Sequence, residues 1–134
     1  MIASRRSIRI KIFLSCASII LAAPSTVHAH ARMVRSLPAN NAEVAEPPAR
    51  VEIWFNELLD EGFNSIEVFR AADVNLKQRA GLQKGEAVVD ARDHTHLSVE
   101  VPPLPAGEYV VEWRVLSRDG HSAPGRFRFR IRSK

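Results

Sequence analysis

The 134-residue sequence has one cysteine and two methionines, and its longest apolar run is too short to cross a bilayer. That run, Ile12 to Ala23, falls below the roughly 20 residues that a spanning helix needs. Arg5, Arg6, Arg9 and Lys11 precede it, and Pro24 leads from it into small residues, the order of the three regions of an export signal. Residues 1–29 are therefore read as a leader that is removed, leaving one domain over 30–134. The opening SRRSIRIK is compatible with a twin-arginine or an ordinary Sec signal, and either route ends outside the cytoplasm. Cys16 lies inside the leader, so the mature chain has no disulfide, no thiolate metal ligand and no cysteine nucleophile. A serine in a GxSxG elbow and a glycine-rich phosphate loop are also absent, and nothing in the spacing of the carboxylates marks a catalytic pair.

Net charge is the next absence. The leader holds four of the 19 basic residues and none of the 15 acidic ones, so the mature chain carries 15 of each. The pI of 9.8 is largely the leader's and gives no argument for nucleic-acid binding. One basic feature survives, GRFRFRIRSK, which alternates Arg126, Arg128, Arg130 and Arg132 with Phe127, Phe129 and Ile131. It predicts an edge strand with one buried face and one charged face that discourages aggregation.

Helical periodicity is missing too, while alternation recurs. RVEIWFN places Val51, Ile53 and Phe55 on one face, SIEVFR offers Ile66 and Val68, and HLSVEVP offers Leu97, Val99 and Val101. The longest alternating stretch, EYVVEWRVLS, puts Tyr109, Val111, Trp113 and Val115 together. Turn signals separate these runs: LPANN, Pro47-Pro48, Glu61-Gly62, Gly85, PPLPAG and Asp119-Gly120. About seven short strands in 105 residues predict an all-β antiparallel sandwich, immunoglobulin-like or cupredoxin-like. Ala71 to Asp93 is the least patterned segment and reads as a long loop with one or two weak strands.

Four histidines follow the leader: His30, His94, His96 and His121. In SRDGHSAPG, directly after the longest strand, Asp119 and His121 stand two apart, so in extended chain both side chains point the same way. Alone the pattern is weak, because Asp-Gly is also a common hairpin turn. His30 adds a second element. STVHAHARM has two places that satisfy a signal peptidase, after Ala29 and after Ala31, and only the first leaves a histidine at the N-terminus. Such a residue offers its α-amine and its ring Nδ1 to one metal ion. With Asp119 and His121 the set is three nitrogens and one oxygen, which suits tetragonal Cu(II) rather than soft Cu(I). Met33 is the only methionine left, so a methionine-rich Cu(I) site is excluded. A cut after Ala31 would put Arg32 first and abolish the chelate. His94 and His96 share a face by the same period-two argument and read either as a second metal site or as polar residues at a strand edge.

The stretches HARMVRSLPANNAEVAEPPARVEIWFNELL and GEYVVEWRVLSRDGHSAPGRFRFRI resemble the CopC family of periplasmic copper-resistance proteins. The resemblance covers almost all of the mature chain and is most specific at its two ends. It implies a Greek-key β-sandwich and one Cu(II) per chain, held by His30, Asp119 and His121. It also favours the cut after Ala29, and implies the handling of copper in the periplasm, often with a CopD-like inner-membrane partner. Glu57 falls where the family tends to keep an acidic residue, either orienting a ligand or a bound water, or simply a solvated strand-end carboxylate. The expectation is a monomeric, non-enzymatic Cu(II) carrier or buffer. Its rivals are a histidine-brace copper monooxygenase, disfavoured by the carboxylate ligand, and an immunoglobulin-like interaction module without metal.

Overall fold

The central strands here exist because alternate residues have an apolar face to bury. In the computed structural model, which describes residues 30–133, the strands in chain order are β1 (Met33–Leu37), β2 (Glu43–Val44), β3 (Arg50–Phe55), β4 (Ser65–Arg70), β5 (Lys84–Val89), β6 (His96–Glu100), β7 (Gly107–Leu116) and β8 (Ser122–Ile131). Two sheets form, ordered β1-β3-β6-β5 and β2-β8-β7-β4. All pairings are antiparallel except β2 with β8. Only β5–β6 and β7–β8 are hairpins within one sheet; the other connections cross between sheets, giving the interlocked winding of a Greek-key sandwich. The leader, with Cys16 and the cut after Ala29, lies outside the described residues.

The predicted inward faces are buried. Val51, Ile53 and Phe55 of β3 and Leu97 and Val99 of β6 meet Tyr109, Val111, Trp113 and Val115 of β7 and Phe127, Phe129 and Ile131 of β8 in one core. Each such side chain contributes about 1.5–3 kcal/mol on burial. The Tyr109 hydroxyl donates to the Pro105 carbonyl at 2.6 Å, fastening the corner where the chain enters β7.

One expectation needs correction and two gain detail. Among the described residues the strands number eight, in line with an expectation of about seven, the two-residue β2 following the turn that contains the cis Leu37–Pro38 bond and Asn41 at φ 62°. Ala71 to Asp93 is loop with one strand of six residues, as expected, and a 3-10 turn at Ala71–Asp73. Within it Arg79 lies over the Phe69 ring, 4.1 Å from its centroid, and pairs with Glu112, which explains why Phe69 is buried on the outward face of its sheet. Finally, β8 is not a sheet edge but lies between β7 and β2. On that side the backbone of Arg128, Arg130 and Arg132 is bonded to the 40–44 segment, through Asn41 N–H to Arg128 O, Arg130 N–H to Ala42 O and Arg132 N–H to Val44 O.

Candidate metal centre

Four segments gather at one end of the sandwich: residues 30–32, the stretch 56–64 after β3, residues 90–95 before β6, and the β7–β8 connection. Arg32 N–H donates to Asn56 Oδ1 at 2.6 Å and Asn56 N–H to the Arg32 carbonyl at 3.1 Å, pinning the chain ahead of β1 against the end of β3. Ala31 is buried there, while His30 is exposed. The 56–64 stretch then runs along the end of β7, with a bridge between Leu59 and Ser117 flanked by Arg118 N–H to Leu58 O (3.0 Å) and Asp60 N–H to Leu116 O (2.8 Å).

The β7–β8 connection, residues 117–121, is closed by Ser117 N–H to His121 O and by Gly120 N–H to Ser117 O, both at 2.9 Å. Gly120 has φ 89°, a left-handed conformation that a Cβ would strain. Asp119 accepts the His121 N–H on Oδ1 at 3.1 Å, and its Oδ2 lies 3.1 Å from His121 Nδ1. The Asp-Gly hairpin turn and the shared Asp–His position are thus one structure. The pair meets because an aspartate side chain in a turn bonds the backbone two residues on, not because an extended strand alternates. The Asp119 carboxyl is held below its ordinary range, first by the His121 N–H, then by the His121 imidazole, with a contribution from His30.

His30 and His121 have ring centroids 6.0 Å apart, tilted by 50°. Among the described residues no three His, Cys, Asp or Glu side chains are gathered closely enough to hold a metal ion. Asp119 and His121 are in contact, and the nitrogen of His30, an amide joined to Ala29 in the uncut chain, is not an amine there. Two imidazoles and a carboxylate at one end of the fold nevertheless fit Cu(II) donor chemistry. Glu57 belongs to the same end, and its Oε1 is buried without a hydrogen-bond partner among the described residues.

His94 and His96 have separate surroundings rather than a common point. Arg118 donates to His94 Nδ1. The His96 ring stacks on Trp54 at 4.3 Å, with Nε2 3.1 Å from Glu52 and Nδ1 3.8 Å from Asp90. Arg35 covers Trp54, 3.5 Å from the ring centroid, while Trp113 is a core residue set edge-on to Phe55. Sequence reasoning passed over Asn56, Arg118 and Ser117. The surroundings of all three depend on pairings with distant segments, which no local pattern encodes.

A two-sheet sandwich whose loops carry an Asp–His turn beside an N-proximal histidine defines a class, and residues 33–132 match the CopC domain. The chain belongs to the CopC family. It is 38% identical over 109 residues to the copper transport protein CutJ of Bacillus subtilis; the match covers 81% of this chain and 19% of that protein, so the chain spans about a fifth of that relative's length. It is 30% identical over 104 residues to copper resistance protein C of Pseudomonas syringae pv. tomato, covering 78% of this chain and 82% of that one. The crystal structure of CopC from Methylosinus trichosporium OB3b is similar with a TM-score of 0.67 at 27% identity, over 76% of this chain and 93% of that one.

Proposed function

We propose that residues 30–134, released by a cut after Ala29, form a periplasmic Cu(II) carrier or buffer that takes one ion per chain and acts in copper resistance or homeostasis without redox turnover. His30, through its new α-amine and its ring, Asp119 and His121 are the ligands, and copper is cargo. The observation that carries this reading is the Asp119–His121 pair, 3.1 Å apart, beside His30. The relatives' names point the same way. The carboxylate favours the harder Cu(II), which works against cycling through Cu(I). Glu57, whose Oε1 is buried with no hydrogen-bond partner among the described residues, orients a ligand or a bound water. The protein works as a monomer and passes copper to a CopD-like membrane permease.

Binding requires Cu(II) to displace protons. An α-amine titrates near ~7.7–8.0 and an imidazole near ~6.5, so apparent affinity falls as the medium acidifies. The test is a Cu(II) titration of mature protein whose first residue is verified as His30 by intact mass. One tight tetragonal centre by EPR is expected, strongly weakened by Asp119→Ala and by His121→Ala. No centre in the wild type, or unchanged affinity in both variants, would remove the reading.

A further inference from the structure

Ser117 is 2% exposed, and its Oγ is buried with no hydrogen-bond partner among the described residues. Its backbone groups are engaged, the N–H with the His121 carbonyl and the carbonyl with the Gly120 N–H. Nothing local therefore requires a hydroxyl. Alanine would occupy the same inward position beside Leu59 without the cost of an unsatisfied buried polar group.

The pattern of bonds on either side of the Leu59–Ser117 bridge makes it a close, non-hydrogen-bonded antiparallel pair. Glu57 lies two residues before Leu59 and Asp119 two residues after Ser117. The antiparallel register thus brings 57 and 119 to the same side of the bridge, toward the metal end. Two of the residues in this register, Ser117 and Glu57, each have a buried side-chain oxygen, Oγ and Oε1, with no hydrogen-bond partner among the described residues. They are complementary in kind, because a hydroxyl donates whereas an ionised carboxylate only accepts. A buried orphan atom in a native fold calls for an explanation, and two matching ones beside one site share it.

We infer that Ser117 is a positioning residue of the copper site: in the loaded protein its hydroxyl donates to the Glu57 carboxylate and holds that carboxylate at the metal end. The inference rests on the Cu(II) reading above. In the metal-free chain the hydroxyl contributes nothing and costs something, so the two states respond to its removal with opposite signs.

The experiment compares mature wild type, Ser117→Ala, Glu57→Gln and the double variant, each beginning at His30. Melting of the metal-free proteins should show Ser117→Ala at least as stable as wild type. Competition titration should show its Cu(II) affinity reduced on the order of 10- to 100-fold, with an altered copper hyperfine pattern in EPR. The double variant should bind no more weakly than Glu57→Gln alone, because both substitutions break one interaction. Wild-type affinity and spectrum in Ser117→Ala, additive losses in the double variant, or a lower melting point of metal-free Ser117→Ala would each overturn the inference while leaving the Cu(II) reading intact. A wild type without a Cu(II) centre would remove both.

Discussion

Gly125→Ala tests whether β7 and β8 are in the register described. Gly125 is paired with Trp113, and a Cβ built at 125 would stand 2.1 Å from Trp113 Cζ2 and 2.4 Å from Cε2. Those separations are far inside van der Waals contact, and the indole has little room to retreat: Trp113 is 7% exposed and meets Phe55 edge-on at 4.9 Å. Overpacking of this kind costs about 1–3 kcal/mol. A domain of this size loses about 4 °C or more in Tm per kcal/mol, so a drop of ~4–20 °C is expected in calorimetry or circular dichroism. The cause is steric, so a smaller ring should relieve it, and in a Trp113→Phe background the added cost of Gly125→Ala should fall below about 1 kcal/mol. Gly120→Ala is the contrast: no atom lies within 4 Å of the new Cβ, but φ is 89°, so its cost is backbone strain of about 1–2 kcal/mol and Trp113→Phe leaves it unchanged. A Gly125→Ala protein that melts with the wild type, or loses as much with phenylalanine at 113, would refute the pairing.

Other consequences are as direct. Phe63 is 89% exposed and sits at φ 58°, so Phe63→Gly relieves left-handed strain without losing packing and should raise Tm by a few degrees, about 1 kcal/mol. The folded Asp119 carboxyl titrates below its unfolded value, so its contribution to stability is present above the ordinary aspartate range near ~3.9 and is lost as pH falls through the lower folded value. Urea midpoints of wild type and Asp119→Asn across acid pH should converge below that point and diverge above it; parallel curves would exclude the effect. Arg79→Ala uncovers the Phe69 ring and leaves Glu112 without its close partner, so denaturant unfolding should show a loss of about 1–2 kcal/mol.

Alternation in RVEIWF, HLSVE and EYVVEWRVL carried the fold, because each strand has a face that must be buried and the period of two shows in the residues themselves. What escaped was set by partners elsewhere in the chain. Glu43–Val44 becomes a strand only because β8 passes alongside, and the one or two weak strands expected in Ala71 to Asp93 narrow to KGEAVV only once β6 gives it a neighbour. The arginine row was legible as a strand with a charged face, but not its place inside the sheet, which depends on that short β2. At the candidate site, Asp119 and His121 were visible because chemistry and turn coincide in DGH. Ser117 was not, since a serine before such a turn looks solvated until Leu59 is laid against it. For His94 and His96 the sequence left a second metal site and polar strand-edge residues both open; next to the turn held by Asp93 and Thr95, one meets Arg118 and the other stacks on Trp54.

That turn and its neighbours bear on when the site comes to exist. Arg32 is bonded to Asn56 at the end of β3 and Ala31 is buried, so the fold holds the chain to within one residue of His30. The proposed cut after Ala29 converts one amide nitrogen into an amine at a position the sandwich places beside His121. On this reading the cytoplasmic precursor, still carrying its leader, lacks the chelating nitrogen and leaves cytoplasmic copper alone, and competence arises only after export. A chain with even one residue added before His30 should keep the wild-type Tm and lose most of its Cu(II) affinity. If instead the extended and mature chains bound copper equally, the α-amine would not be a ligand, and the carboxylate of Glu57 would be the first group to examine in its place.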